Sequence, residues 1–190
     1  MIKRDYMKKI LFSFLFALTA LSLYAQDISA YANVTEKSIQ RQYWNNISLG
    51  KPLSLHMLKE AFVKTSENAI DVKTIDDSNE YRTILVKFDD RIWSEVYVMT
   101  VDDVMKQLTL RRKSTEQNTD FFNEMSKELT ERYGQAQIHK TDTGSGFYQS
   151  WSDERTCLTL SYEYLYTEDT DSWAYFVAMT FDNMDKNNSR

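Results

Sequence analysis

Residues 118–134, NTDFFNEMSKELTERYG, decide how the chain is organised. Phe122, Met125, Leu129 and Tyr133 fall at i, i+3, i+7 and i+11, one stripe on a helix of ~3.6 residues per turn. Asn118, Thr119 or Asp120 can cap its free N–H groups, and Gly134 offers the left-handed residue that ends many helices. Everything after this helix reads as strands, and what precedes it reads as an earlier helix followed by strands. The architecture therefore begins a second time here.

Upstream, Gly50 and Pro52 form a turn and Ser54 can cap a helix over residues 55–65, with Leu55, Leu58 and Phe62 as its buried stripe. Strands are expected at 70–75, 81–88, 92–101 and 104–112, with short polar breaks such as Asp89-Asp90 and Asp102-Asp103 as hairpin turns. After the central helix, strands are expected at 135–141, 147–152, 157–166 and 173–182. The fold class implied is α+β: two tandem helix-plus-antiparallel-sheet repeats, 47–114 and 115–183, with both helices on one face. A polar segment, 26–46, precedes them. In it Ile39, Tyr43 and Ile47 recur every four residues and predict a short helix. Residues 184–190 are expected as a frayed tail.

The first 25 residues have the pattern of a secretory signal peptide. Lys3, Arg4, Lys8 and Lys9 precede an apolar run at 10–23, too short for the ~20 residues that span a bilayer, and Ala25 offers a small residue for cleavage. Cleavage there removes 25 of 190 residues, four bases and Asp5. It takes 23 bases against 28 acids to 19 against 27, a net charge of −8. An acidic chain without a basic block is not built to bind nucleic acid, and no membrane span is expected in the mature chain. Cys157 stands alone, so no internal disulfide can form and stability must come from an aromatic-rich core.

Alternation divides the strand residues into two faces. Leu158, Leu160, Tyr162, Tyr164 and Tyr166 form one set, as do Trp173, Tyr175, Val177, Met179 and Phe181, and both should face the helices. Ile92, Val96 and Val98 join them. Trp93, Glu95, Tyr97, Met99, Glu163 and Phe176, with Trp151 beside them, are then expected on the helix-free face. These are residue types enriched in protein interfaces, with acids to set specificity at the rim.

Nothing in the sequence marks catalysis or a cofactor. His56 and His139 have no partner at metal-ligand spacing, and Cys157 has no base near it in sequence. Gly144-Ser145-Gly146 lacks a phosphate-loop lysine, and residues 168–171 lack the spacing of a calcium loop.

Ile47-x-Leu49-Gly50-x-Pro52 leading into a helix, and Leu129-x-x-x-Tyr133-Gly134 ending the next one, give a layout that resembles secreted β-lactamase inhibitor proteins and small outer-membrane assembly lipoproteins. In those families a sheet surface or its loops engage another protein. The chain departs from both: it has no disulfides like the inhibitors and no lipid-bearing cysteine like the lipoproteins. The expectation is an exported, non-enzymatic protein-binding module, periplasmic or secreted, with a protein partner in the cell envelope. The competing expectation is a small-ligand carrier or enzyme with a pocket between sheet and helices.

Overall fold

The computed structural model describes residues 37–43, 47–65, 69–77, 81–88, 92–114, 116–140, 146–167 and 171–185, all within the unit Asn33–Arg190. The expected signal peptide lies outside them. Helix α1 (Leu55–Thr65) precedes strands β1 (Ala69–Asp77), β2 (Arg82–Phe88), β3 (Glu95–Val101) and β4 (Val104–Ser114). Helix α2 (Asp120–Tyr133) precedes β5 (Gln137–Lys140), β6 (Gly146–Ser152), β7 (Thr156–Thr167) and β8 (Ser172–Asn183).

The expected α+β fold of two repeats is overturned. The strands form one eight-stranded antiparallel sheet, ordered β1-β2-β3-β4-β8-β7-β6-β5, and the fold is mainly β. Two short helices, of 11 and 14 residues, sit on that sheet as additions to it. The reason lies at the centre, where β4 and β8 pair from Gln107↔Asp182 to Ser114↔Tyr175. This ladder is as regular as those on either side of it, so no boundary divides the sheet into two units.

Local chemistry accounts for the elements. The Ser54 hydroxyl accepts the Met57 N–H at 3.2 Å and starts α1. Asn118 Oδ1 accepts the Asp120 N–H at 2.7 Å ahead of α2, and Gly134, at φ 90°, donates its N–H to Thr130 at the other end. Asp102 and Asp103, at φ 50° and 57°, make the tight turn between β3 and β4, which demands left-handed backbone at both positions.

Leu58 and Ala61 of α1, and Phe122, Leu129 and Tyr133 of α2, share one buried cluster with Ile84, Val96, Leu108, Leu158 and Phe181. Both helices therefore lie on the same side of the sheet. The segment 37–54 adds Ile39, Ile47, Leu49 and Leu53 to that core. It is not the short helix expected there. Tyr43 N–H bonds the Ile47 carbonyl at 2.7 Å and Gln42 bridges Ser48, so the four-residue spacing reflects a chain reversal.

Arg41 fastens this segment. Its guanidinium donates to the Leu49 and Arg155 carbonyls, Thr156 Oγ1, Asn183 Oδ1 and Asp185 Oδ2, at 2.5–3.1 Å. The described start of the expected frayed tail is thus tied down: Met184 N–H also bonds the Arg155 carbonyl at 2.9 Å. Among the described residues no helix is long and apolar enough to cross a membrane.

Candidate binding surface

Strand length creates the most unusual surface. β7 and β8 pair along twelve residues each, from Thr156↔Asn183 to Thr167↔Ser172. Their neighbours stop earlier: β6 begins at Gly146, opposite Glu163, and β4 ends at Ser114, opposite Tyr175. Beyond those points the hairpin has no adjoining strand among the described residues. α2, about 21 Å long at ~1.5 Å per residue, cannot cover a hairpin approaching 40 Å at ~3.3 Å per residue.

On the helix side this hairpin carries a zigzag column of rings. Phe147 stacks on Tyr162 (5.4 Å between centroids), Tyr162 on Tyr175 (5.7 Å) and Tyr164 on Trp173 (5.2 Å). Tyr175 meets Tyr164 tilted at 4.5 Å, and Tyr166 meets Trp173 edge-on at 5.8 Å. Phe122 of α2 presses its ring on Phe147 and Tyr162, so that end of the column is core. Exposure climbs from 5% at Tyr162 to 36% at Tyr164, 44% at Tyr166 and 56% at Trp173. The Tyr166 hydroxyl bonds Asp171 Oδ1, which braces the tip.

At the foot of the column, where α2 begins, a cavity of about 270 Å³ opens between helix and sheet. Tyr162, Tyr175, Phe121 and Val177 form its apolar wall, and Arg112, Ser114, Asn118, Asp120 and Glu124 bring polar groups to it. The Arg112 guanidinium lies 4.5 Å from the Phe121 ring centre. The Tyr162 hydroxyl is buried, and the Asn118 backbone approaches it. Burial, then proximity to Tyr175, push its pKa up, while the nearby Asn118 backbone partly opposes them.

The residues expected on the helix-free face are split by the structure. Trp93 is half-buried and sets its ring edge-on to Phe121 of α2, 5.2 Å away, so it serves the helix side. Trp151 pairs with Leu158 in the core, and its Nε1–H satisfies the Gly134 carbonyl at 2.9 Å. Register puts Glu95, Tyr97, Met99, Glu163 and Phe176 on the other face, but Tyr97 and Phe176 are only 8% and 2% exposed. Neither ring is therefore presented to solvent there.

Instead that face holds a self-contained polar cluster around Arg111. The guanidinium lies over Tyr97 at 4.9 Å and Phe176 at 4.4 Å, and its Nε and Nη2 reach Glu95 Oε2 at 2.7 and 2.6 Å. Tyr97 donates its hydroxyl to the same oxygen at 3.0 Å, and Lys87 lies 3.9 Å from the other. Burial pushes the Glu163 carboxyl up, opposed by a Ser161 hydrogen bond and by Arg111. Glu95 is thus committed to holding the fold together. Met99 sits half-buried between Thr83 and Gln107, in a row that continues to Asp182 and Cys157.

Cys157 is fully buried, and burial pushes its thiol up to about 12, so it stays protonated at neutral pH. His139 stacks on Tyr148, 4.7 Å away, and burial lowers its pKa. Among the described residues no group of three or more His, Cys, Asp or Glu is placed to hold a metal ion.

Reasoning from alternation missed Tyr164, Tyr166 and Trp173 as surface residues, because it assigned every helix-side position to the core. The strands expected at 157–166 and 173–182 were no longer than the one expected at 92–101, so only the structure reveals that β7 and β8 outrun their neighbours. No protein-family model matches the chain, and neither a curated protein nor a solved structure matches it.

Proposed function

We propose that this chain is an exported, non-enzymatic protein-binding module whose contact surface is the outer end of the β7–β8 hairpin. The observation that carries the reading is the exposure of Tyr164, Tyr166 and Trp173 on a hairpin tip extending past both neighbouring strands. Tyrosine and tryptophan dominate interface energetics, and rings already stacked on each other lose little freedom on binding. The basic and apolar pattern of residues 1–25 supports export and a partner in the cell envelope.

The test is crosslinking of the tagged chain in its native envelope, beside a Trp173→Ala/Tyr164→Ala variant that keeps its far-UV spectrum. A partner captured by the parent and lost in the variant supports the surface. Equal capture by both removes it. The cavity beside α2 favours a second reading, a small-ligand carrier, which predicts a co-purifying ligand lost on filling the cavity with Val177→Phe.

A further inference from the structure

Exposure and a proton acceptor coincide at Tyr166. Its ring is 44% exposed, and its hydroxyl donates to Asp171 Oδ1. A phenol that loses an electron becomes a strong acid, so tyrosine is oxidised most easily where a base takes the proton in the same step. A carboxylate already hydrogen-bonded to the hydroxyl is such a base. Tyr166 also ends the stacked column. Trp173 lies edge-on to it at 5.8 Å, Tyr164 stacks on Trp173 at 5.2 Å, and Tyr175 meets Tyr164 at 4.5 Å and Tyr162 at 5.7 Å. Electrons pass quickly between rings in contact. An oxidising equivalent taken up along the column therefore settles where its proton is best received.

Two other tyrosines each lack a requirement. Tyr97 donates to Glu95 Oε2, but the Arg111 cation lies 4.9 Å from its ring centre and opposes the loss of an electron, and the ring is only 8% exposed. Tyr164 is 36% exposed but donates to no carboxylate among the described residues.

We propose that Tyr166 is an oxidative coupling site: a haem peroxidase using hydrogen peroxide joins it to the same residue of a second copy by an ortho–ortho carbon–carbon bond. Each phenol gives up one electron to the peroxidase and its hydroxyl proton to Asp171. The two ring radicals then form the new bond, and each ring sheds its ortho hydrogen as a proton while its oxygen regains one. In all, two electrons and two protons leave, and they reduce one hydrogen peroxide to two waters. The tip extends past β4 and β6, so two copies can bring these rings together with the rest of each sheet held apart.

The test treats the full chain with hydrogen peroxide and a soluble haem peroxidase. Dityrosine fluorescence and a denaturing gel follow the reaction, and mass spectrometry of the digest locates the bond. A covalent dimer is expected, with Tyr166 in both arms of the crosslinked peptide. Tyr166→Phe should lose most of it, and Tyr164→Phe should keep it. Asp171 sits at φ 47°, which asparagine also tolerates, so Asp171→Asn keeps the turn and removes the base. That variant should couple several-fold more slowly at pH 7 and draw level with the parent near pH ~10, where a phenol ionises unaided. A defect in folding alone would not vanish with pH. The proposal is overturned if no covalent dimer forms, if the bond is spread over other tyrosines, if Tyr166→Phe dimerises like the parent, or if Asp171→Asn couples at the parent's rate at pH 7.

Discussion

Tyr164 and Trp173 stack across the β7–β8 hairpin at 5.2 Å with their planes 24° apart, although Trp173 remains more than half exposed. A pair that is stacked yet wet contributes little to the core and much to what approaches it.

Trp173→Ala is therefore expected to cost no more than about 1 kcal/mol of stability, the worth of a surface aromatic pair. It should nevertheless abolish partner capture. Urea unfolding measures the first. A loss of about 3 kcal/mol or more, the scale of a core truncation, would show that the hairpin tip is structural.

Arg111→Ala should be costly, at about 3 kcal/mol. It strips the cation from a cluster in which Glu95, Tyr97 and Phe176 all depend on it, and leaves the Glu95 carboxylate with a more distant Lys87. Arg111→Ala/Glu95→Ala should recover part of that loss. A double variant as unstable as the sum of the singles would deny the coupling.

Asp182 makes stability depend on pH in an unusual direction. Desolvation pushes its carboxyl from 3.8 to about 6, against the pull of a 2.7 Å hydrogen bond from Gln107. The folded chain thus binds a proton that the unfolded chain has released between these values, and this group's contribution to stability falls as pH rises from about 4 to about 6, then levels off. Asp182→Asn should stabilise the protein by about 3 kcal/mol at pH 7 and by well under about 1 kcal/mol at pH 4. Denaturant midpoints at the two pH values decide it; an equal change at both would refute the shift.

Gly146→Ala tests the pairing of β6 with β7. An added Cβ would press into the Tyr162 carbonyl and against the Glu163 backbone, neither of which can swing away. The expected cost is about 1–3 kcal/mol, as for an overpacked site. A variant as stable as the parent would show that the strand start yields freely.

Much of the secondary structure was legible because each strand carries its own period and each turn its own chemistry: Val96 and Val98 alternate with Tyr97, and Asp102-Asp103 can occupy left-handed backbone where most residues cannot. The assembly was not legible in the same way. Pairing of Leu110 with Met179 is a relation between strands far apart in sequence, and nothing within either strand announces it. The surface suffered from a related blindness. Alternation reports which side a ring faces, and only relative strand length reports whether anything is there to cover it. Trp93 and Trp151 failed for local reasons: one precedes the strand that was meant to orient it, and the other found a carbonyl at Gly134 that lets an indole sit in the core.

The pairing of β4 with β8 also has a bearing on the order of assembly. β8 follows every other described strand, yet it lies in the middle of the sheet, and the Asn183 and Asp185 acceptors of Arg41 lie at its end and just beyond. A ribosome emitting this chain releases β1–β4 and then β5–β7 as two pieces with raw inner edges, and the strand that closes both comes afterwards. Contacts so distant in sequence make for slow folding, so the sheet stays open until synthesis of the chain ends.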